Sequence, residues 1–181
     1  GMVLDRRRRK VYVALSGEDA VIVIDAITGE ITNRVPLNFG DEPTELAITP
    51  DGRTLVAVNT ASNTASVIDA GALLETDKIK VGNRPTSAAI NPVASRAFIT
   101  DALSNTVSVL DLNRRTLLTA LAVGATPLRA GFDERGERLY VVNRDSPDMT
   151  VIAAAALTVE NKIFTGMGGI SVAVSEQTGL I

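Results

Sequence analysis

A short apolar stretch returns at a fixed interval along this chain. Three copies begin at Pro43, Pro85 and Pro127, and a weaker copy begins at Gly169, so that successive copies start 42 residues apart. Each copy has the pattern of a short strand closed by a turn. A strand pattern that repeats about every 42 residues is typical of a β-propeller with four strands in each blade. The sequence therefore predicts four repeats of one structural unit.

Two apolar runs and a more polar one complete each repeat. In the first repeat the apolar runs cover residues 11–15 and 21–25, and a turn that contains Gly17 separates them. Their apolar residues are nearly continuous rather than alternating, which indicates strands that are buried on both faces. Residues 30–37 are more polar and fit an outer strand at the solvent edge. The sequence thus predicts an all-β propeller with four antiparallel strands per blade.

The composition excludes several kinds of chemistry. The chain contains neither Cys nor His, which removes thiolate nucleophiles, imidazole bases and most side-chain ligation of zinc, copper and haem. Ser and Thr are plentiful, but no His is present to activate them. Oxygen ligands for calcium or magnesium remain. We expect no catalytic residues, no cofactor and no metal.

Charge is unevenly distributed along the chain. Residues 6–10 carry five of the 18 basic side chains, and we interpret residues 1–10 as a basic N-terminal arm. Residues 11–181, the predicted propeller repeats, hold the remaining 13 basic and 20 acidic residues. Such an acidic body makes nucleic acid an unfavourable partner. No apolar run approaches the roughly 18 residues of a transmembrane helix, so we expect no membrane span.

Several stretches of the chain resemble the YVTN-type β-propeller repeat family, whose members include surface-layer-like proteins and whose blades are similar to WD40 repeats. These stretches are LYVVN at residues 139–143, NTVSVLD at 105–111, AITPDG at 47–52 and VGNRP at 81–85. The resemblance covers residues 10–179 and implies a fold rather than an activity. It also implies a periplasmic, secreted or cell-surface location. One departure is Ala153, which stands where the earlier repeats have Asp25, Asp69 and Asp111.

The ends of the repeats predict how the propeller closes. The first repeat starts at a middle strand, and the last ends just after the apolar residues 171–174. We therefore expect this C-terminal inner strand, residues 171–174, to complete the first blade, residues 11–37, of a partner chain in a homodimer. Four blades would make either half of an eight-bladed ring or a fragment of a larger propeller. With only two Tyr and four Phe to fill the wedges of a four-bladed ring, the sequence favours a homodimer with eight blades.

One end of the predicted propeller collects the polar turn residues. The turns after the second strand and the connections between blades both lie at this end, around the mouth of the channel, where ligands commonly bind. Asn and Asp there could simply cap turns, whereas arginines are less readily explained as turn formers. The candidate ligand-binding residues are Arg84, Arg129, Arg144, Asn59, Asp101, Asn143 and Asp145.

Three functions are compatible with these features. The first is a non-enzymatic scaffold that binds a protein, a peptide or a small anionic ligand at the channel mouth. The second is a propeller enzyme or enzyme fragment of the lactonase or quinoprotein type, which would need carboxylate-bound calcium or a cofactor at the channel mouth. The adjacent carboxylates at residues 41–42 and 133–134 could do acid–base work, but they lie in predicted turns. The third is binding of single-stranded nucleic acid through the arginines of this face and the basic N-terminal arm, which the acidic body disfavours.

Overall fold

Four antiparallel sheets of four strands each make up residues 1–174, the part of the chain that the computed structural model describes. Blade 1 contains β1 (Met2–Asp5), β2 (Lys10–Leu15), β3 (Ala20–Asp25) and β4 (Ile31–Pro36); blade 2 contains β5 (Pro43–Ile48), β6 (Thr54–Asn59), β7 (Thr64–Asp69) and β8 (Leu74–Lys80); blade 3 contains β9 (Pro85–Ile90), β10 (Arg96–Asp101), β11 (Thr106–Asp111) and β12 (Thr116–Ala122); blade 4 contains β13 (Pro127–Phe132), β14 (Arg138–Asn143), β15 (Asp148–Ala153) and β16 (Thr158–Phe164). This confirms the predicted all-β propeller. The last seven residues of the predicted repeat region, 175–181, lie outside the described residues.

Each blade packs its face against the face of the next. Leu55 of β6 points towards blade 1, where it joins a cluster with Tyr12 and Val21, while its neighbour Val56 points towards blade 3 and packs near Leu110. A third cluster fills the space between blades 3 and 4. Successive side chains of a strand point to opposite faces, so one middle strand serves two interfaces. This explains the continuous apolar runs of the sequence.

The outer strands differ from the middle strands because they form the rim of the arc. Every residue of β16 is exposed, whereas all residues of β6 after the first are buried. Within residues 1–174 the four sheets do not close into a ring. None of the described residues belongs to a helix long and apolar enough to cross a membrane.

The N-terminal residues form a strand, so the prediction of a polar arm is wrong for residues 2–5. In β1, Met2 pairs with Val13 and Leu4 pairs with Val11. The intervening residue Val3 packs into the cluster between blades 1 and 2. An unpaired edge of β2 would leave backbone groups without partners, and these few apolar residues suffice to cover it.

The C-terminal segment, defined here as residues 169–174, is therefore not needed to complete blade 1, in this chain or in a partner chain, because β1 already holds the inner position. This corrects the predicted closure. The segment is not assigned to a strand and instead lies on the outward face of blade 4. Val172 and Val174 pack there against a cluster that contains Tyr140 and Val142.

A pair of neighbouring substitutions tests whether β1 is part of the folded core. Val3→Asp would place a charge in the apolar cluster and should lower the free energy of unfolding by about 2 kcal/mol. Leu4→Asp should cost less than half as much, because Leu4 points to the opposite face and is 48% exposed. Urea denaturation at low protein concentration measures both values. If both substitutions changed the free energy of unfolding equally and negligibly, β1 would not be part of the folded core, and residues 2–5 would instead be an N-terminal arm.

Candidate functional site

The turns at the channel mouth are held by their own side chains. Asn63 and Asn105, between the second and third strands of their blades, have positive φ values of 58° and 56°. The Asn63 Oδ1 atom accepts the Arg84 backbone N–H at 2.6 Å, and the Asn105 Oδ1 atom accepts the Thr126 N–H at 2.9 Å. Each turn thereby fixes the connection that leads to the next blade. These two residues are structural caps, which is the role that the sequence analysis allowed for Asn and Asp at this end of the propeller.

Asn59 and Asn143 are structural as well. Each ends the second strand of its blade and is almost completely buried. The Asn59 Nδ2 atom donates to Ser66 Oγ at 2.7 Å, and the Asn143 Nδ2 atom donates to Thr150 Oγ1 at 2.9 Å. The amides thus tie the second strand to the third, and their burial leaves no surface on which a ligand could contact them.

Asp101 holds the same position in blade 3, but as a carboxylate. Its Oδ2 atom accepts hydrogen bonds from Thr106 Oγ1 at 2.9 Å and Ser108 Oγ at 2.8 Å. Burial raises the pKa of Asp101 to about 6, and these two hydroxyls only partly oppose that rise. The connection crosses directly above the carboxyl group, since a Cβ atom at Gly82 would lie 2.6 Å from Asp101 Cγ. Asp101 is therefore sealed from the channel mouth.

Arg144 and Asp145 form an ion pair with each other. The Arg144 Nε and Nη2 atoms donate to the two Asp145 carboxylate oxygens, both at 3.0 Å. The hydrogen bonds from Arg144 and from Thr126 Oγ1 lower the pKa of Asp145 to about 2. Both side chains are about half exposed, so this pair adds little to stability. It does neutralise a charge that the sequence assigned to ligand binding.

Arg129 lies on an inner strand rather than in a turn. It forms an ion pair with Glu45 of β5, reaching past β9, where the equivalent residue is Ser87. A bulge near the start of each of these inner strands shifts the register there, for example between Pro127 and Arg129. The candidate residues therefore do not form one cluster: Arg129 belongs to the channel wall.

Arg84 is the candidate whose charge has no partner among the described residues. Its φ of 51° is left-handed, its side chain is exposed, and no described residue forms an ion pair with it. It borders an open depression of about 520 Å³ between blades 2 and 3, which Thr60, Asn63, Asn83 and Leu103 also line. This depression is the part of the predicted face that could contact a ligand.

Leu103 was not among the sequence candidates, although it is 65% exposed at the edge of this depression. The equivalent turn positions are Gly17, Ala61 and Asp145. A single large apolar side chain among small or polar residues of one turn position was the available signal. Residue type alone did not indicate Leu103, because Leu is ordinarily assigned to the core.

The adjacent carboxylates considered for catalysis have structural partners. Asp41 is buried, pairs with Lys78 and accepts the Asn38 backbone N–H at 2.9 Å. Asp133 accepts the Glu137 N–H at 2.7 Å and closes a turn. Among residues 1–174, no group of three acidic side chains could hold a metal ion.

Comparison with protein-family models gives no match, and comparison with curated protein sequences gives none either. Solved structures do match. Hydrazine synthase from Kuenenia stuttgartiensis aligns with a TM-score of 0.83 and 23% identity, over 91% of this chain and 48% of that one. A functionally unknown protein from Desulfotomaculum acetoxidans DSM 771 aligns with a TM-score of 0.87 and 15% identity, over 97% of this chain and 59% of that one.

The fold is a β-propeller. This chain spans about half the length of the two solved structures. In all, 1410 solved chains match, and a fold of such breadth carries many unrelated functions. At these identities the likeness shows the fold alone.

Replacing the buried carboxylate by the amide that blades 2 and 4 have at this position tests its environment. The pKa of Asp101 is raised from 3.8 to about 6 by folding, so the folded state favours the neutral form. The resulting penalty is absent below about pH 4 and complete above about pH 6. Asp101→Asn should therefore raise the free energy of unfolding at pH 8 by on the order of 2 kcal/mol, and change it little at pH 4.

Asp111→Asn is the matched control with the opposite sign. Backbone N–H groups of Arg114 and Asn113 bind the Asp111 carboxylate and lower its pKa. Its contribution to stability is present above the unfolded pKa and is lost as the pH falls. This substitution should destabilise the protein at pH 8, with the difference shrinking under acid. Thermal melts across pH that showed the same trend for both variants would contradict the assignment.

Proposed function

We propose that this chain is a YVTN-type propeller that serves as a non-enzymatic binding scaffold, with the depression around Arg84 as its site for an acidic protein segment or peptide. The observation that carries the proposal is the difference between the three arginines. Arg129 pairs with Glu45 and Arg144 pairs with Asp145, while Arg84 has no ion-pair partner among the described residues. By family resemblance, the location would be the periplasm, the cell surface or the outside of the cell.

The backbone around Arg84 supports a preorganised contact. Its N–H is held by Asn63, and Pro85 follows directly, so the base of the side chain has little freedom. A guanidinium can bind a carboxylate through two parallel hydrogen bonds. Asn83 offers a polar group beside it and Leu103 an apolar surface. A peptide that carries an acidic and an apolar side chain fits this combination.

Glu42 restricts which acidic ligands fit. It occupies the position equivalent to Arg84 in the preceding connection, with a φ of 49°, and also lines the depression. A ligand made only of negative charge would be repelled there, whereas a peptide can present a backbone N–H or a basic side chain to Glu42. A peptide therefore fits better than a bare inorganic anion.

A single arginine substitution tests this site. Arg84→Ala should weaken binding of a capped peptide with alternating Glu and Leu by about tenfold, since it removes a charged hydrogen bond. Arg144→Ala is the control and should change binding less than about twofold, because Arg144 is already paired. Calorimetric titration measures both, and both variants should fold normally.

Two results would contradict this function. Tighter binding of single-stranded DNA than of the peptide, lost in Arg84→Ala, would favour the nucleic-acid alternative. Calcium-dependent turnover of a lactone would favour the enzyme alternative.

We also propose a homodimer in which two four-bladed arcs form an eight-bladed ring. The support is the open arc itself, which leaves apolar side chains at the exposed face of blade 1. A core of small residues also suits the shallow wedges of a large ring better than the steep wedges of a small one. Light scattering at micromolar concentration should give about twice the 19.0 kDa chain mass. A single species of one chain mass would contradict the dimer.

A further inference from the structure

The C-terminal segment occupies the place that the inner strand of a following blade would take. By the 42-residue period, Val172 and Val174 correspond to Ala130 and Phe132 of β13. Inside the chain, each inner strand contacts the inner strand of the preceding blade. Val172 repeats that arrangement, since its Cγ1 atom lies 3.7 Å from the Cβ position of Gly131. The segment thus covers blade 4 as a neighbouring blade would.

Blade 1 has an apolar face with no neighbour among the described residues. We call it the free face of blade 1; it lies opposite the cluster of Tyr12 and Val21 and consists of Met2, Leu4, Val11, Val13, Ile22 and Ile24. Met2 is 70% exposed. Exposed apolar patches of this kind mark sites of association. The three internal interfaces show that such a face packs against the outward face of another blade.

The turns beside these two faces carry opposite charge. The basic turn, residues 5–10 of blade 1, has five basic residues and one acid. The acidic turn, residues 133–137 of blade 4, has three acids and one base. Within residues 1–174, Arg6, Arg7, Glu134 and Glu137 take part in no ion pair. Arg8 of the basic turn does pair with Asp5, but these four charges have no ion-pair partner among the described residues, and those of the two turns are opposite in sign.

Neighbouring blades already bind one another through these turns. The Arg8 guanidinium of blade 1 donates to the Gly52 carbonyl of blade 2, and the Asn91 Nδ2 atom of blade 3 donates to the Gly136 carbonyl of blade 4 at 2.9 Å. Applied to blade 4 followed by blade 1 of a second copy, the same placement brings Asp133 opposite Arg8 of that copy.

From this geometry we propose that a second copy of this chain docks the free face of its blade 1 on blade 4, basic turn against acidic turn, and that the C-terminal segment must leave blade 4 for this to happen. The inference rests on the proposed homodimer and names its interface and its regulation. In the single chain the segment acts as a cap that shields blade 4. Because a two-fold dimer uses the contact twice, the cap is released twice.

Charge reversal tests the interface by rescue. Arg6→Glu with Arg7→Glu should weaken dimerisation at least about tenfold, and so should Glu134→Lys with Glu137→Lys. All four changes in one chain should restore the dimer to within about threefold of the natural chain. Glu30→Lys with Lys80→Glu, at the outer rim, is the control and should change nothing. Sedimentation equilibrium in low and high salt gives each dissociation constant.

A reversible tether tests the cap. The chain has no Cys, so Gly131→Cys with Val172→Cys introduces a single disulfide that locks the segment on blade 4. The oxidised protein should stay monomeric, and reduction should restore the dimer. Val172→Ser with Val174→Ser loosens the segment without a disulfide and should tighten dimerisation about fivefold.

The outcomes separate the inference from the proposal it rests on. If the natural chain and every variant are monomeric, both are overturned. The proposed interface is wrong, while the homodimer stands, if the natural chain is a dimer whose dissociation constant neither charge reversal changes. The same follows if only the variant with all four changes does not dimerise. An oxidised tether that dimerises normally, or a Ser variant that dimerises less well, would show that the segment is not a displaceable cap.

Discussion

Face-to-face packing of sheets built from small residues is the constraint on which this structure depends. Leu55 and Ala57 serve one interface of blade 2 while Val56 and Val58 serve the other, so no blade can bury its apolar surface alone. Blades 2 and 3 bury both of their apolar faces against the neighbouring blades. Within residues 1–174, blades 1 and 4 each lack a neighbouring blade on one side, and the apolar surface there is where we propose that a second copy binds. The C-terminal segment and the free face of blade 1 are two consequences of the same requirement.

The fold could be predicted from the sequence because the period and the apolar runs are local signals. The candidate site could not be predicted in the same way. Whether a side chain at the channel mouth is buried depends on the connection that crosses over it to the next blade. Gly82 and Gly124 approach so closely that a Cβ atom would lie 2.6 Å from Asp101 Cγ and 2.5 Å from Asn143 Cγ. Polar residues that look exposed in a turn are thereby sealed beneath the backbone. Arg84, Arg144 and Asp145 remain exposed, and of these Arg84 alone has no ion-pair partner among residues 1–174.

The first strand shows how composition can hide a repeat. The turn from Asp5 to Lys10 has the same length as the turn from Thr49 to Thr54, and Leu4 pairs with Val11 as Ile48 pairs with Leu55. Apolar residues 2–4 were too few to stand out beside five consecutive basic side chains. Aligning residues 2–15 with the first two strands of blade 2 would have revealed β1 in the sequence.

In the proposed dimer, the charges at the ends of the arc would also determine which contacts are avoided. Docking two blade 1 faces would bring two basic turns together, and docking two blade 4 faces would bring two acidic turns together; like charges at an interface are unfavourable in both cases. The contact between the turns of blades 3 and 4 does not depend on charge, since the neutral Asn91 amide of blade 3 donates to the Gly136 carbonyl of blade 4. Apolar faces alone cannot distinguish one blade from another, because every interface of the repeat has the same chemistry. The unmatched charge at the two terminal turns supplies that distinction, and it favours the one order of blades that continues the arc.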